Sequence, residues 1–195
     1  MAIALLGIMA VSGIAQAQGL MQITEWMYKG SDGEFVEFTN VGNEAIDLTG
    51  WSYSDSDQQP GDDSFGSIFG VIQAGESVIL TETDASVFRS AWGLSSSVKI
   101  YGSNDNSNLG RSDMINLYNA SGTLVDSLVY NDQAGQGPRT ENKSVNIPAS
   151  DWGLTTASGS WVLAVVGDAA GSWASTNDDI GTPGTAVPEA GTVLS

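Results

Sequence analysis

Glu34-Phe35-Val36-Glu37-Phe38-Thr39-Asn40-Val41-Gly42 decides the fold, because Val36 and Phe38 fall on one side of an extended chain and Phe35 and Glu37 on the other. A period of two marks a β-strand, whose successive side chains face opposite sides of a sheet. The stretch therefore predicts one buried side and one that carries a carboxylate. Asn40-Val41-Gly42-Asn43 ends it with residues that tolerate left-handed backbone, as a turn requires. Working outward, 22–28 and 45–53 are short runs rich in β-branched and aromatic residues, bounded by Gly, Asp and Asn. Further strands are predicted at 76–81, 98–101, 114–118, 124–130 and 161–166. Between two of them, Asn119-Ala120-Ser121-Gly122 reads as a hairpin loop in which Gly122 supplies a positive φ.

One segment changes period. Over 84–92, Val87, Phe88, Ala91 and Trp92 share a face at helical spacing, with Asp84 placed to cap the start and Gly93 the stop. This predicts a single short helix across one end of an otherwise all-β domain, its aromatic face turned into the core.

The chain of 195 residues has room for one domain with a hydrophobic core. It carries 23 acidic against 6 basic residues, a net charge of −17. Phosphate backbones need a basic stripe; here Lys29, Arg89, Lys99, Arg111, Arg139 and Lys143 are scattered, so nucleic acid is excluded as a partner. There is no cysteine and no histidine. That removes disulfides, thiolate metal sites and histidine-based catalysis, and leaves carboxylates as the main proton-transfer groups.

Three motifs follow one another in order: Ile23-Thr24-Glu25, the 34–42 stretch, and Ile46-Asp47-Leu48-Thr49-Gly50-Trp51. Together they resemble the lamin-tail domain. Later pieces agree: Ala74-Gly75-Glu76-Ser77, the hairpin that carries Asp126 and ends at Tyr130, and Gly181-Thr182-Pro183-Gly184. The resemblance covers 20–185 and implies an all-β fold, an immunoglobulin-like β-sandwich with one short helix. It further implies a non-enzymatic module of the kind found in nuclear lamins and, in bacteria, on secreted or surface proteins. The DNA and chromatin associations of lamins are not carried over, since the basic surface is missing. Each motif also has a folding role, with Gly50 allowing close approach and Trp51 anchoring the core.

The two ends read as addresses. An apolar stretch at 3–14, too short to span a bilayer, precedes Ala15-Gln16-Ala17, the small-x-small form of a signal-peptidase site. We read 1–17 as a secretory leader; it lacks a basic start, which an internal Met1 or a truncated chain would explain. At the other end, 186–195 reads as a linker, and Val187-Pro188-Glu189-Ala190-Gly191-Thr192 resembles the start of a PEP-CTERM sorting signal, which exosortase systems of Gram-negative bacteria recognise. Ala190 replaces that family's second proline. The apolar helix and basic cluster of such a signal would lie past Ser195, so a truncated chain and transient membrane anchoring are expected. The localisation expected is secreted or cell envelope of a Gram-negative bacterium.

Three constellations bear on function. Glu25, Glu34 and Glu37 are brought close by the family fold and form a candidate carboxylate pair, but a glycoside hydrolase needs a set separation across a cleft. Otherwise these glutamates accept hydrogen bonds from loop backbone or face solvent. Calcium is the candidate metal, because hard cations take oxygen donors. Asp55, Asp57, Asp62 and Asp63 crowd one loop, and Asn104, Asp105, Asn106 and Asn108 another. Neither is an EF-hand, since Pro60 and Leu109 stand at the required glycine and Gly66 and Ile115 at the bidentate glutamate. Finally, Trp26, Tyr28, Trp152, Trp161 and Trp173 are candidate stacking faces for carbohydrate, of which at most one or two are expected to be exposed. The leading expectation is an exported, non-catalytic structural or interaction module of the envelope or matrix, with polysaccharide or an envelope or matrix protein as partner. A calcium-dependent carbohydrate-binding module is the alternative, and a carboxylate-based glycoside hydrolase the outside case.

Overall fold

Alternating side chains at the start of the chain produce two paired strands, β1 (Met21–Met27) and β2 (Phe35–Asn40), with Met27 opposite Phe35 and Met21 opposite Asn40. The computed structural model describes residues 19–56, 59–104, 108–153 and 161–185; the leader at 1–17 and the tail at 186–195 lie outside the described residues. In chain order there follow β3 (Ile46–Asp47), β4 (Ser52–Ser54), β5 (Asp63–Ser64), β6 (Val71–Ile72), β7 (Ser77–Thr81), α1 (Ala85–Trp92) and β8 (Lys99–Tyr101). Then come β9 (Ser112–Tyr118), β10 (Leu124–Asn131), β11 (Val145–Asn146), β12 (Val162–Leu163), β13 (Trp173–Ala174) and β14 (Ile180–Gly181). No helix among the described residues is long and apolar enough to cross a membrane.

The strands form a six-stranded sheet in the order β12-β11-β1-β2-β7-β8 and a four-stranded sheet in the order β10-β9-β4-β5. Two small ribbons, β3 with β6 and β13 with β14, complete the set. The two larger sheets face each other across a core that takes Ile23 and Trp26 from β1, Val36 and Phe38 from β2, Tyr53 from β4, Ile115 and Leu117 from β9, and Tyr130 from β10. This is an all-β, immunoglobulin-like sandwich with one short helix, as expected.

The outer face of the six-stranded sheet is buried too, which the alternation in β2 does not reveal. Phe35 and Met27 join Ile79, Phe88 and Trp92 in a second apolar cluster beneath α1. Asp84 caps the helix by accepting from the backbone N–H groups of Ser86 and Val87 at 2.8 and 3.2 Å, and Gly93 stops it in the left-handed conformation, φ 64°. The helix also solves a topological problem, since β7 and β8 run parallel and a parallel pair needs a crossover between them. Of the four residues predicted to share its inward face, Phe88 and Trp92 are buried, but Val87 is 57 % exposed and corrects that expectation. An eight-residue helix lying over one sheet edge covers only a narrow stripe.

Two expected strands are altered. The run 45–53 divides into β3 and β4, because a turn in which Trp51 N–H donates to the Leu48 carbonyl carries the chain from a ribbon into the four-stranded sheet. The run 161–166 shrinks to β12, since Val165 N–H donates to Asp168 Oδ2 and starts a turn there. The hairpin between β9 and β10 forms as predicted, with Gly122 at φ 76°.

Removing the Phe88 ring strips an edge contact with Phe35 and leaves a cavity under α1. Phe88→Ala is expected to cost roughly 3–5 kcal/mol. Val87→Ala, one residue away, is expected to change stability by less than about 0.5 kcal/mol. Urea unfolding followed by tryptophan fluorescence checks both, and equal losses would contradict this arrangement.

Candidate functional site

The register of β1 on β2 shifts between Ile23 and Glu25, and this bulge places Thr24 and Glu25 together away from the inter-sheet core that holds Ile23 and Trp26. Glu25 is thereby set opposite Glu37, its Cα partner on β2. Both carboxylates are buried, at 0 % and 2 % exposure. They are covered by the last described segment, 173–185, which crosses the outer face as a strap.

The strap supplies half of the hydrogen bonds that the two carboxylates accept. Glu25 Oε1 accepts from Thr182 N–H at 2.7 Å and from Ser144 Oγ at 2.5 Å, and Glu25 Oε2 accepts from Thr182 Oγ1 at 2.9 Å. Glu37 Oε2 accepts from Gly184 N–H at 2.6 Å, and Oε1 accepts from Thr24 Oγ1 at 2.9 Å. Burial pushes the Glu25 carboxyl up to about 8, helped by the charge of Glu37 and opposed by the Ser144 and Thr182 bonds. Burial also raises Glu37, against the pull of the Gly184 and Thr24 bonds. Gly181 passes so close that a Cβ there would sit 2.8 Å from Glu25 Oε1. Upstream, Asp32 accepts from Ser175 Oγ, Asn177 N–H and Asn177 Nδ2 at 2.5, 3.0 and 2.6 Å, while Asp179 Oδ2 accepts from Asp32 N–H at 2.7 Å.

Beside this latch lies a cleft of about 220 Å³. Its walls include Thr24, Glu37, Asn146, Pro148, Ala149, Trp152, Val162, Asp168 and Thr182, whereas Glu25 is not among them. Asp168 is occupied as a turn cap, accepting from Val165 N–H, Ser172 N–H and Ser172 Oγ.

Glu34 goes elsewhere. One residue before β2 and on the opposite side from Glu37, its carboxylate accepts from Leu109 N–H at 2.9 and 3.0 Å. Burial drives the Glu34 carboxyl up to about 9, with the nearby charges of Glu82, Asp55 and Asp113 adding to the effect. Asp55 is likewise raised to about 6 by burial and by Asp113. The cations Lys29, Lys99, Arg111 and Arg139 pair with Glu141, Glu76, Asp132 and Glu141, not with this group.

The lamin tail domain model matches residues 14–132, more than half of the chain. The chain belongs to the lamin tail domain family. No curated protein matches it. The family is a non-catalytic, immunoglobulin-like one, in keeping with the way this lamin tail domain uses its acidic residues as internal hydrogen-bond acceptors.

The carboxylate pair suggested by the sequence resolves into Glu25 with Glu37, and Glu34 separates from both because strand alternation sends it to the other face. The glutamates accept from loop backbone rather than facing solvent. Of the eight candidate calcium ligands, Asp57, Asp105 and Asn106 lie outside the described residues. Asp55, Asp63 and Asn104 are buried, while Asp62 and Asn108 are exposed. Asp62 accepts from Ser54 Oγ at 2.6 Å. The two loops approach each other at Glu34, which feels Asp55 from one and bonds Leu109 from the other. Among the described residues, no three acidic side chains are arranged to hold a metal ion. Of the candidate stacking aromatics, Trp26 and Tyr28 are buried and Trp152, Trp161 and Trp173 half-buried, so none is exposed. Sequence reasoning missed Asp32, Asp179 and Asn146, whose partners lie far away along the chain and leave no local signal.

A folded carboxyl raised above its unfolded value of 4.5 binds protons that the unfolded chain releases, so its contribution favours folding at low pH and is lost as pH climbs. For Glu34 the loss spans about 4.5 to about 9. Glu34→Gln is expected to gain melting temperature relative to the native protein as pH rises through that window. Paired thermal melts check it, and a constant difference across the window would contradict it.

Proposed function

We propose that this lamin tail domain is exported and serves as a non-catalytic structural or interaction module of the cell envelope or extracellular matrix. One observation carries the reading: Glu25 and Glu37, the buried pair best suited to proton transfer, are committed to hydrogen bonds that hold the strap. A carboxylate hydrolase needs two carboxyl groups flanking its cleft with freedom to exchange protons. Here Glu25 is absent from the cleft wall, and Asp168 is engaged with its own turn. The net charge of −17 supports a neutral or cationic partner, a polysaccharide or an envelope or matrix protein, over any polyanion. The leader-like 1–17 and the PEP-CTERM-like 187–192 support export in a Gram-negative bacterium. Fractionation of the host, followed by N-terminal sequencing, is expected to find the protein outside the cytoplasm and beginning at Gln18. An intact leader in the cytoplasmic fraction would overturn export.

A second reading, calcium-dependent carbohydrate binding, is favoured by the approach of two oxygen-rich loops at Glu34 and Asp55, where burial and like charges disfavour the ionised carboxylates. A cation bound only by the folded state at a hundredfold excess over Kd stabilises by about 2.7 kcal/mol, a rise in Tm of roughly 5–10 °C. On this reading, melts in excess calcium exceed those in chelator by that amount, and Asp55→Asn removes the difference. Equal melting temperatures remove calcium and leave the plain interaction module.

A further inference from the structure

We propose that Glu25 and Glu37 hold one proton between them, and that the end of the strap, 182–185, is released from the sheet when that proton leaves. The two glutamates are Cα partners on β1 and β2, and both side chains are buried under the strap. Ionising both in a dry site is strongly unfavourable, because each charge lacks water and repels the other.

The elements packed around the pair bring it no counter-ion. Glu25 is faced by Glu37 from β2, by Ser144 and Asn146 from the chain at β11, and by Thr182 from the strap. Glu37 is faced by Thr24 from β1, Ser77 from β7 and Gly184 from the strap. The charged groups nearest along these elements are turned elsewhere. Lys29 and Arg139 pair with Glu141, Lys99 pairs with Glu76, and Arg89 donates to the Ser95 and Val98 carbonyls. Asp179 accepts from Asp32 N–H, Asp168 caps its own turn, and Lys143 is exposed. Burial, joined by the charge of Glu37, accordingly pushes Glu25 up to about 8.

What depends on the pair is local. Further up, the strap is tied by backbone, since Ser144 N–H donates to the Ile180 carbonyl and Ile180 N–H to the Asn142 carbonyl. Trp173 packs edge-on against Trp92 and donates to its carbonyl. Past Gly181, the Thr182 and Gly184 N–H groups go to the two glutamates instead of to a strand. In the protonated form the bond between Glu25 Oε2 and Thr182 Oγ1 reverses, and Thr182 gives its hydrogen to Asn146 Oδ1, 2.9 Å away. When the strap end lifts, Glu25 meets water, passes its proton to solvent and returns to the ordinary carboxylate range; the second charge then opposes reseating. The seated form binds the proton more tightly, so seating is favoured at low pH and lost as pH climbs from about 4.5 to about 8, levelling off above. Thr182 and Thr185 line the cleft, so the same event opens one of its walls.

The test is hydrogen exchange of the Thr182 and Gly184 N–H groups, corrected for the intrinsic rate at each pH. In the native protein their protection is expected to fall roughly tenfold per pH unit between about pH 5.5 and 7.5, one proton being lost per opening. Ile115 and Leu117 in β9 are expected to keep theirs. Glu25→Gln retains an acceptor for Thr182 N–H and Ser144 and puts an N–H where the proton sits, so its protection at 182 and 184 is expected to stay level. Should that variant not fold, Glu37→Gln removes the opposing charge, and its protection is expected to level off at a lower pH than in the native protein. Level protection in the native protein, or an equal fall in native and Glu25→Gln proteins, would overturn the inference. So would an equal fall at Ile115 and Leu117, which would mark opening of the whole fold, or an unshifted profile in Glu37→Gln.

Discussion

The bulge in β1 is the constraint on which the rest of the outer face depends. By placing Thr24 and Glu25 on one side, it sets two carboxylates next to each other on adjacent strands, both out of water. Buried carboxylates without donors are strongly unfavourable. The donors come from Ser144 and from Thr182 and Gly184 of the strap. The first strands and the last described residues are therefore mutually dependent: the sheet needs the strap to satisfy Glu25 and Glu37, and the strap needs the glutamates because it has little regular structure of its own. Asp32 and Asp179 repeat the device further along the same crossing.

Acidity in this chain is thus only partly a matter of solubility. Several carboxylates serve inside the fold as acceptors for backbone and hydroxyl donors, Glu34 at Leu109 and Asp126 at Ile23 N–H among them. Two of the basic residues do less, since Lys29 and Arg139 reach Glu141 from largely exposed positions, where ion pairs contribute little. A surface so poor in compensating positive charge discourages polyanions and leaves neutral ligands unopposed.

The cleft follows from the same construction. β11 and β12 are two residues each, so the six-stranded sheet narrows toward that edge, and the strap passes beside it rather than across a continuous strand. Glu37 belongs both to the latch and to the cleft wall, which couples the shape of the cleft to the seating of the strap. At the opposite face of β2, Glu34 gathers the two oxygen-rich loops. One strand thus positions both candidate sites, and their separation is simply the alternation of its side chains.

The sequence by itself determined the all-β class, the 119–122 hairpin and the capped helix, because period, turn chemistry and capping act over a few residues, whereas the pairing of the first strands came only with the family resemblance. Its three ordered motifs also determined the family. Tertiary structure decided that Glu37 is buried rather than solvent-facing, since alternation reports two faces but not whether a helix and a distant strap cover the second. It decided that 45–53 breaks at a corner between sheets and that Val87 points outward, because both depend on where neighbouring elements lie. It decided which glutamates meet. Glu25 and Glu37 share a face only through a bulge that no local pattern announces, and Thr182 reaches Glu25 across 157 positions of chain. Asn146 and Trp152 carry no signal in the sequence that joins them, and only the packing of the strap beside a short sheet edge brings them to one cleft.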